Sequence, residues 1–262
     1  MKPYYREFPP PSTLAHVVDA FWCLSAPQTT TQVALPRHRV FPDGCVDLFF
    51  RFHRPAVGGG IDAPVLMVYG PTARFELVEL DSSIQFVGVR FKPGAAVPVL
   101  EFSPLSLVDQ TVMAQDCSGH LIHLSDKLCE CYSPQQALSL LEKTVLERMA
   151  ALRHENSVRV RAALKLLSTS NGSLRISDVA ERLGVTETTL RRDITGAVGL
   201  SPKVLARILR FQRTLTRLRA SEPADLCTIA LDNGYADQSH MGREFQELAG
   251  ITPTAFMQSL AQ

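Results

Sequence analysis

The sequence predicts an α+β protein in two parts: a β-rich N-terminal region, then an all-α C-terminal region with two helix-turn-helix units joined by a long helix. Three observations predict it. Apolar and polar residues alternate in short runs between about Val33 and Phe91, after Ser103 the apolar residues recur every three or four positions, and one plan of small residue, Gly turn and polar helix start occurs twice near the end. Period two suits a strand with one buried face, and the longer period suits an amphipathic helix.

In chain order, Pro42-Asp43-Gly44 is a turn signature, because Pro presets φ and Gly accepts positive φ. Behind it Val46, Leu48, Phe50 and Phe52 alternate with residues such as Asp47 and Arg51, which predicts a half-buried strand. Gly58-Gly59-Gly60 reads as a loop with no following phosphate-cradle pattern. A second alternating run, Ile84 to Phe91, stops at Lys92-Pro93-Gly94. Ser133-Pro134-Gln135-Gln136 matches a capping box with Pro in the first helical turn. The stripe Ala137, Leu138, Leu141, Val145, Met149 and Leu152 follows, expected to pack on its own domain, with pairing in a homodimer as the alternative.

The polar run Arg153-His154-Glu155-Asn156-Ser157 is a linker, which places a regulatory domain at 1–153 and a second domain at 154–262. A chain of 262 residues with 45% hydrophobic content can bury the core of one large or two modest domains. Formal charge divides unevenly: residues 157–262 hold 14 Lys+Arg against 10 Asp+Glu, and residues 1–156 hold 13 against 16. A polyanionic partner is therefore expected on the C-terminal part. The six cysteines form no C-x-x-C pair, and no histidines cluster at zinc spacing, so neither a metal nor another cofactor is expected. The start MKPYYREFPPPS has no apolar core of a signal peptide and no run of 18 apolar residues occurs. The expectation is a cytoplasmic protein with reduced thiols and no membrane partner.

From Val158 on, the pattern is helical. Val160, Ala163, Leu164 and Leu167 form a stripe ended by Thr169-Ser170-Asn171-Gly172. Ile176 to Leu183 then reads as a helix, Gly184 as a turn, and Thr186 as the cap of a second helix carrying Leu190 and Ile194. The plan returns with Ile229-Ala230 in place of Val179-Ala180, Gly234-Tyr235 in place of Gly184-Val185, and Asp237 leading a helix with Met241 inward. In such units a small Ala lets two helices cross closely and the second is presented as a ridge that fits the DNA major groove.

The stretch I-A-x-x-x-G-Y-x-D-Q-S-H-M-x-R-E-F from Ile229 to Phe245, with G-I-T-P-T-A-F at Gly250 to Phe256, resembles the AraC/XylS family of bacterial transcription regulators. G-L-S-P at Gly199 to Pro202 and L-R-F-Q-R-T-L-T-R-L at Leu209 to Leu218 extend the likeness over roughly 100 residues. The resemblance implies a sequence-specific regulator of double-stranded DNA, working with RNA polymerase. It assigns DNA contacts to Thr188, Arg191 and Arg192 in the first unit and to Gln238, Ser239 and Arg243 in the second, with His240 at the DNA backbone. The chemistry agrees: Arg can grip both acceptors of guanine, Gln both groups of adenine, and a Thr methyl can pack on thymine. Thr186, Arg213 and Arg217 are the phosphate candidates. Ion pairs of Arg191 or Arg192 with Glu187 or Asp193 are the alternative, as is a purely structural role for Arg210. The helix holding Arg207, Arg210, Arg213, Arg217 and Arg219 would space the two units about 34 Å apart along one DNA face. Met241 stands where the family usually has Phe, and Gly242 where it often has Ser or Thr, so the second unit is expected to read fewer bases.

R-V-F-P-D-G-C-V-D-L at Arg39 to Leu48 and F-V-G-V-R-F-K-P-G-A at Phe86 to Ala95 resemble an uncharacterised β-rich domain found ahead of such modules, with a cupin-like sensor as the analogy. Asp47, Arg90 and Lys92 are then candidates for a small-molecule effector pocket, Asp43 and Cys45 beside them. The rival readings are a metal-dependent cupin-type enzyme, a DNA-repair regulator with the same kind of DNA-binding domain, and a module that acts through protein partners. His38, His53, His120 and His123 could serve a metal, but none sits in a metal motif, and G-x-S-x-G, H-E-x-x-H and GxxxxGK[ST] are all lacking. A non-enzymatic protein with no catalytic residue is the expectation.

Overall fold

A computed structural model describes residues 4–26, 37–53, 62–151, 158–220 and 225–260. The Gly58–Gly60 loop, the linker, Leu152 and the expected boundary at 153/154 lie outside the described residues.

The N-terminal part is antiparallel sheet. Strands β1 (Tyr4–Phe8), β2 (Val18–Ser25), β4 (Val46–His53), β5 (Asp62–Tyr69), β7 (Ile84–Phe91) and β8 (Thr111–Met113) form one sheet in the order β1-β2-β7-β4-β5-β8, and β3 (Arg37–Val40) pairs with β6 (Glu76–Glu79) in a second. Val46, Leu48, Phe50 and Phe52 all face one core, as their alternation predicts. Helices α1 (Ala96–Leu100), α2 (His120–Cys129) and α3 (Pro134–Ala151) cover that face, with Leu121, Leu124, Leu128, Ala137, Leu141 and Val145 buried against it. The α3 stripe thus packs within its own part of the chain. Half of its capping box forms as expected, Gln136 N donating to Ser133 Oγ (3.2 Å), while the Gln136 side chain accepts from Tyr132 N (2.7 Å), one residue ahead of the cap.

The other face of the large sheet is covered too. Trp22, Leu24, Ala26 and Leu80 form a smaller core there, with Phe49, Val78 and Phe86 against it. Gly88 makes room: a Cβ at this position would lie 2.7 Å from the Trp22 ring and 2.9 Å from Phe49 Cβ. Asp47, which alternation alone would leave on an open face, is therefore buried. The three-residue β8 interrupts the stretch expected to be helical after Ser103, held by pairing of Met67, Val68 and Tyr69 with Met113, Val112 and Thr111.

The C-terminal part is helical: α4 (Val158–Thr169), α5 (Ile176–Arg182), α6 (Glu187–Val198), α7 (Pro202–Arg219), α8 (Leu226–Asp232), α9 (Gln238–Ala249) and α10 (Pro253–Leu260). One apolar core runs through both helix pairs, α5–α6 and α8–α9, with α7 between them. Gly184 and Gly234 turn the two pairs at φ +64° and +78°, in the left-handed region that favours glycine.

Candidate nucleic-acid interface

The two units are built alike at the point where they would meet a duplex. Thr186 is the N-cap of α6 and accepts from Thr189 N (3.2 Å), while Asp237 is the N-cap of α9 and accepts from His240 N (2.6 Å). Each cap satisfies a backbone donor that the first helical turn leaves free. Leu190 and Ile194 on α6, and Met241, Phe245 and Leu248 on α9, point into the core. On the opposite faces Thr188, Arg191 and Arg192, and Gln238, Ser239 and Arg243, are exposed. Both sets lie in the first half of their helix, where the macrodipole is positive and favours a phosphate-lined groove.

The arginines of α7 divide into two groups. Arg207 donates to Glu244 (2.9 Å) and Glu247 (2.7 Å), and Arg210 makes paired bonds to Glu244 (2.8 and 2.9 Å) while stacking over the Tyr235 ring at 4.6 Å. Glu244 is buried on the inner side of α9, so this network fastens the second unit to α7. Arg210 is therefore structural. Arg213 and Arg217 are exposed on α7 and stand clear of that network.

Other side chains at the interface have local partners. Arg192, 77% exposed, approaches Asp193 Oδ1 at 3.5 Å while Arg159 Nε holds Oδ2 at 2.7 Å, so the ion pair considered as the alternative is present, although most of the Arg192 side chain faces solvent. His240 is half-buried: its Nδ1 accepts from Ala236 N (3.3 Å) and its ring meets Tyr235 edge-on at 5.4 Å. Cys227 Sγ donates to Gln238 Oε1 (3.2 Å), a support for the Gln238 side chain that no spacing in the sequence announces. Around Gly242 there is open space, so a side chain could be added at that position without collision.

Residues 179–259 match a family described as a helix-turn-helix domain, and residues 6–113 match one described as a domain of unknown function (DUF6597). The C-terminal part is an AraC-type helix-turn-helix domain. The chain is a DNA-binding transcription regulator. Solved structures similar to it include ToxT from Vibrio cholerae O395, at 13% identity over 87% of this chain and 94% of that one, TM-score 0.46. The C-terminal domain of AraT, a response regulator from Geobacillus stearothermophilus, is 26% identical over 40% of this chain and 88% of that one, TM-score 0.38. An AraC-type regulator from Chromobacterium violaceum is 23% identical over 40% and 93%, TM-score 0.37. No curated protein gives a significant match.

Of the three effector candidates ahead of the AraC-type domain, two meet. Arg90 lies 3.3 Å from Asp47 and 3.2 Å from Asp43, and it also reaches Glu7 at 3.1 Å. Trp22 Nε1 donates to Asp47 at 2.6 Å. Burial pushes the Asp47 carboxyl up to about 6 even though Arg90 pulls the other way. Burial disfavours the Arg90 cation, but Asp47 and Asp43 hold it firmly protonated. Lys92 instead donates to the Ala15 carbonyl (2.6 Å), and Cys45 is buried with its N–H bound to Asp43 (2.8 Å). Among the described residues no group of three or more His, Cys, Asp or Glu is placed to hold a metal ion, and no helix is long and apolar enough to cross a membrane.

Proposed function

We propose that this regulator reads two successive major-groove segments of a duplex, one with Thr188, Arg191 and Arg192 of α6 and the other with Gln238, Ser239 and Arg243 of α9. The observation that carries the reading is the repeated geometry: two helices capped by the same device, each exposing its polar side chains at the N-terminal half with its apolar face in one shared core. Thr186, Arg213 and Arg217 supply phosphate contacts, and His240 contributes at the backbone from its seat on Tyr235. Phosphate contacts provide affinity, and base contacts provide sequence choice. The protein acts without catalysis, in the cytoplasm, with RNA polymerase as partner.

The β-rich part serves as the sensor. Asp47 and Arg90 form a charged centre beside Trp22 that a small polar effector would have to engage, whereas Lys92 is held at the Ala15 carbonyl. Selection of bound duplexes from a random library, with the full chain, tests the reading. The expected product is a two-part motif whose halves are separated by about one helical turn. Arg243→Ala should relax one half by about 1–3 kcal/mol of discrimination and leave the other intact. A one-part motif, or no enrichment, would refute it.

A further inference from the structure

Beyond Asp47, the motif R-V-F-P-D-G-C-V-D-L has no role described so far, and its side chains do not turn inward to one ligand. They alternate between the two parts of the protein. Arg39 donates through Nη1 to the carbonyl of Ala249, the last residue of α9 (2.6 Å), and its guanidinium lies over the Phe75 ring at 4.7 Å. That ring in turn lies against Gly250, the C-cap of α9 at φ +69°, where any side chain would collide with it. Phe41 enters the helical core, with its ring 5.9 Å from both Phe211 of α7 and Phe256 of α10 and edge-on to each. The Pro42 carbonyl accepts from Gln212 Nε2 (2.7 Å), and Gly44, at φ +75°, is pressed against Leu205 of α7. Asp43 and Asp47 face the other way and meet Arg90.

We propose that Arg39 and Phe75 are positioning residues for DNA reading: they dock the β-rich part onto the C-terminal end of α9 and set the angle at which that helix presents Gln238, Ser239 and Arg243, while Phe41 anchors the same part on α7 and α10. The chemistry favours this assignment over incidental packing. A helix C-terminus carries unpaired carbonyls and about half a negative charge, and a guanidinium donated to one of them is a cationic cap. The cap sits on the helix whose far end is exposed for bases. From Ala249 back to Gln238 the helix runs about 16 Å, so a tilt of about 10° at the capped end moves Gln238 by about 3 Å. Bidentate readout of a base edge fails well within such a displacement. α6 has its own contact, since Gly199 at its C-cap lies where a Cβ would be 2.8 Å from the Pro104 carbonyl. It has no share in the Arg39–Phe75 clasp.

This inference rests on the two-segment reading, and the experiment separates the two. Full-length Arg39→Ala and Phe75→Ala are measured on the duplex selected by the wild-type chain and on versions with either half scrambled. The expected result is a 10-fold or greater loss on the intact duplex, with scrambling of the α9 half no longer mattering and scrambling of the α6 half costing as much as in the wild type. Arg39→Lys, which can still donate to the carbonyl, should recover part of the loss. Leu48→Ala, deep in the sheet core, is the control: it should lower the melting temperature and leave the dependence on both halves unchanged. Wild-type discrimination retained by Arg39→Ala and Phe75→Ala overturns the inference, as does equal loss at both halves. A wild-type chain that shows only one half overturns the two-segment reading instead.

Discussion

Replacing Glu244 by Ala asks whether the inner arginines of α7 belong to the fold or to DNA. Glu244 is 6% exposed and accepts bonds from both Arg207 and Arg210, whose side chains are 28% and 16% exposed. Removing one partner of a buried pair costs about 3–5 kcal/mol, because the other charge is left desolvated. Part of this is recoverable here. Arg207 keeps Glu247 at 2.7 Å and is open enough to be solvated, and Arg210 keeps its stacking on Tyr235, about 1 kcal/mol. The expected cost is thus about 2–3 kcal/mol, most of it from Arg210. Urea denaturation of the full chain measures it. A double variant, Arg210→Met with Glu244→Leu, should regain more than half, since an apolar pair leaves no unpaired charge. A Glu244→Ala variant within about 0.5 kcal/mol of the wild type would refute the structural assignment, as would a double variant no better than the single.

Three further outcomes are expected. Arg213→Ala or Arg217→Ala should weaken binding about equally for all sequences and lower the slope of log K against log salt by about 1, read by titration at several salt concentrations; an unchanged slope would remove them from the phosphate set. Gly242→Ser should raise the stability of α9 by up to about 1 kcal/mol, since open space surrounds the position, and should tighten binding or sharpen the α9 half of the selected motif; identical affinity and preference would show that the missing hydroxyl is not a missing contact. Asp47 has a carboxyl raised to about 6 by burial, so its contribution to stability is present below its unfolded value near 4 and is lost as pH rises through about 6. Asp47→Asn should therefore flatten stability against pH in that window by about 3 kcal/mol, as followed by thermal melting.

Where one physical signal decided the outcome, the sequence was easily read. Alternation from Val46 to Phe52 gave a strand with four side chains in one core, and Thr186 and Asp237 cap as hydroxyl and carboxylate side chains at a helix start should. The doubled helix-turn-helix was legible because Gly184 and Gly234 mark the same turn in two places. What escaped was set by partners distant in the chain. Asp47 reads as a solvent-facing strand residue until β3 and β6 close over its side of the sheet. Arg39 and Phe41 look like strand-end residues, and nothing near them announces a carbonyl 210 positions away. Glu244 lies within the recognised motif, yet its role depends on Arg207 and Arg210 having the spacing of one helix face, which identifies a pair only once α7 is laid against α9.

The clasp between Phe75 and Gly250 bears on how such proteins can be recombined. A grafted sensor without an aromatic ring at Phe75 and a cation at Arg39 would leave the glycine and the Ala249 carbonyl uncovered, and a free-standing reader would carry a bare notch where the aromatic side chain belongs. Chimeras made by cutting at the connecting segment should therefore fail, and those that also carry over β3 with the turn after it and Phe75 ahead of β6 should keep the donor's sequence preference. In this molecule the unit of exchange is a surface shared by both halves.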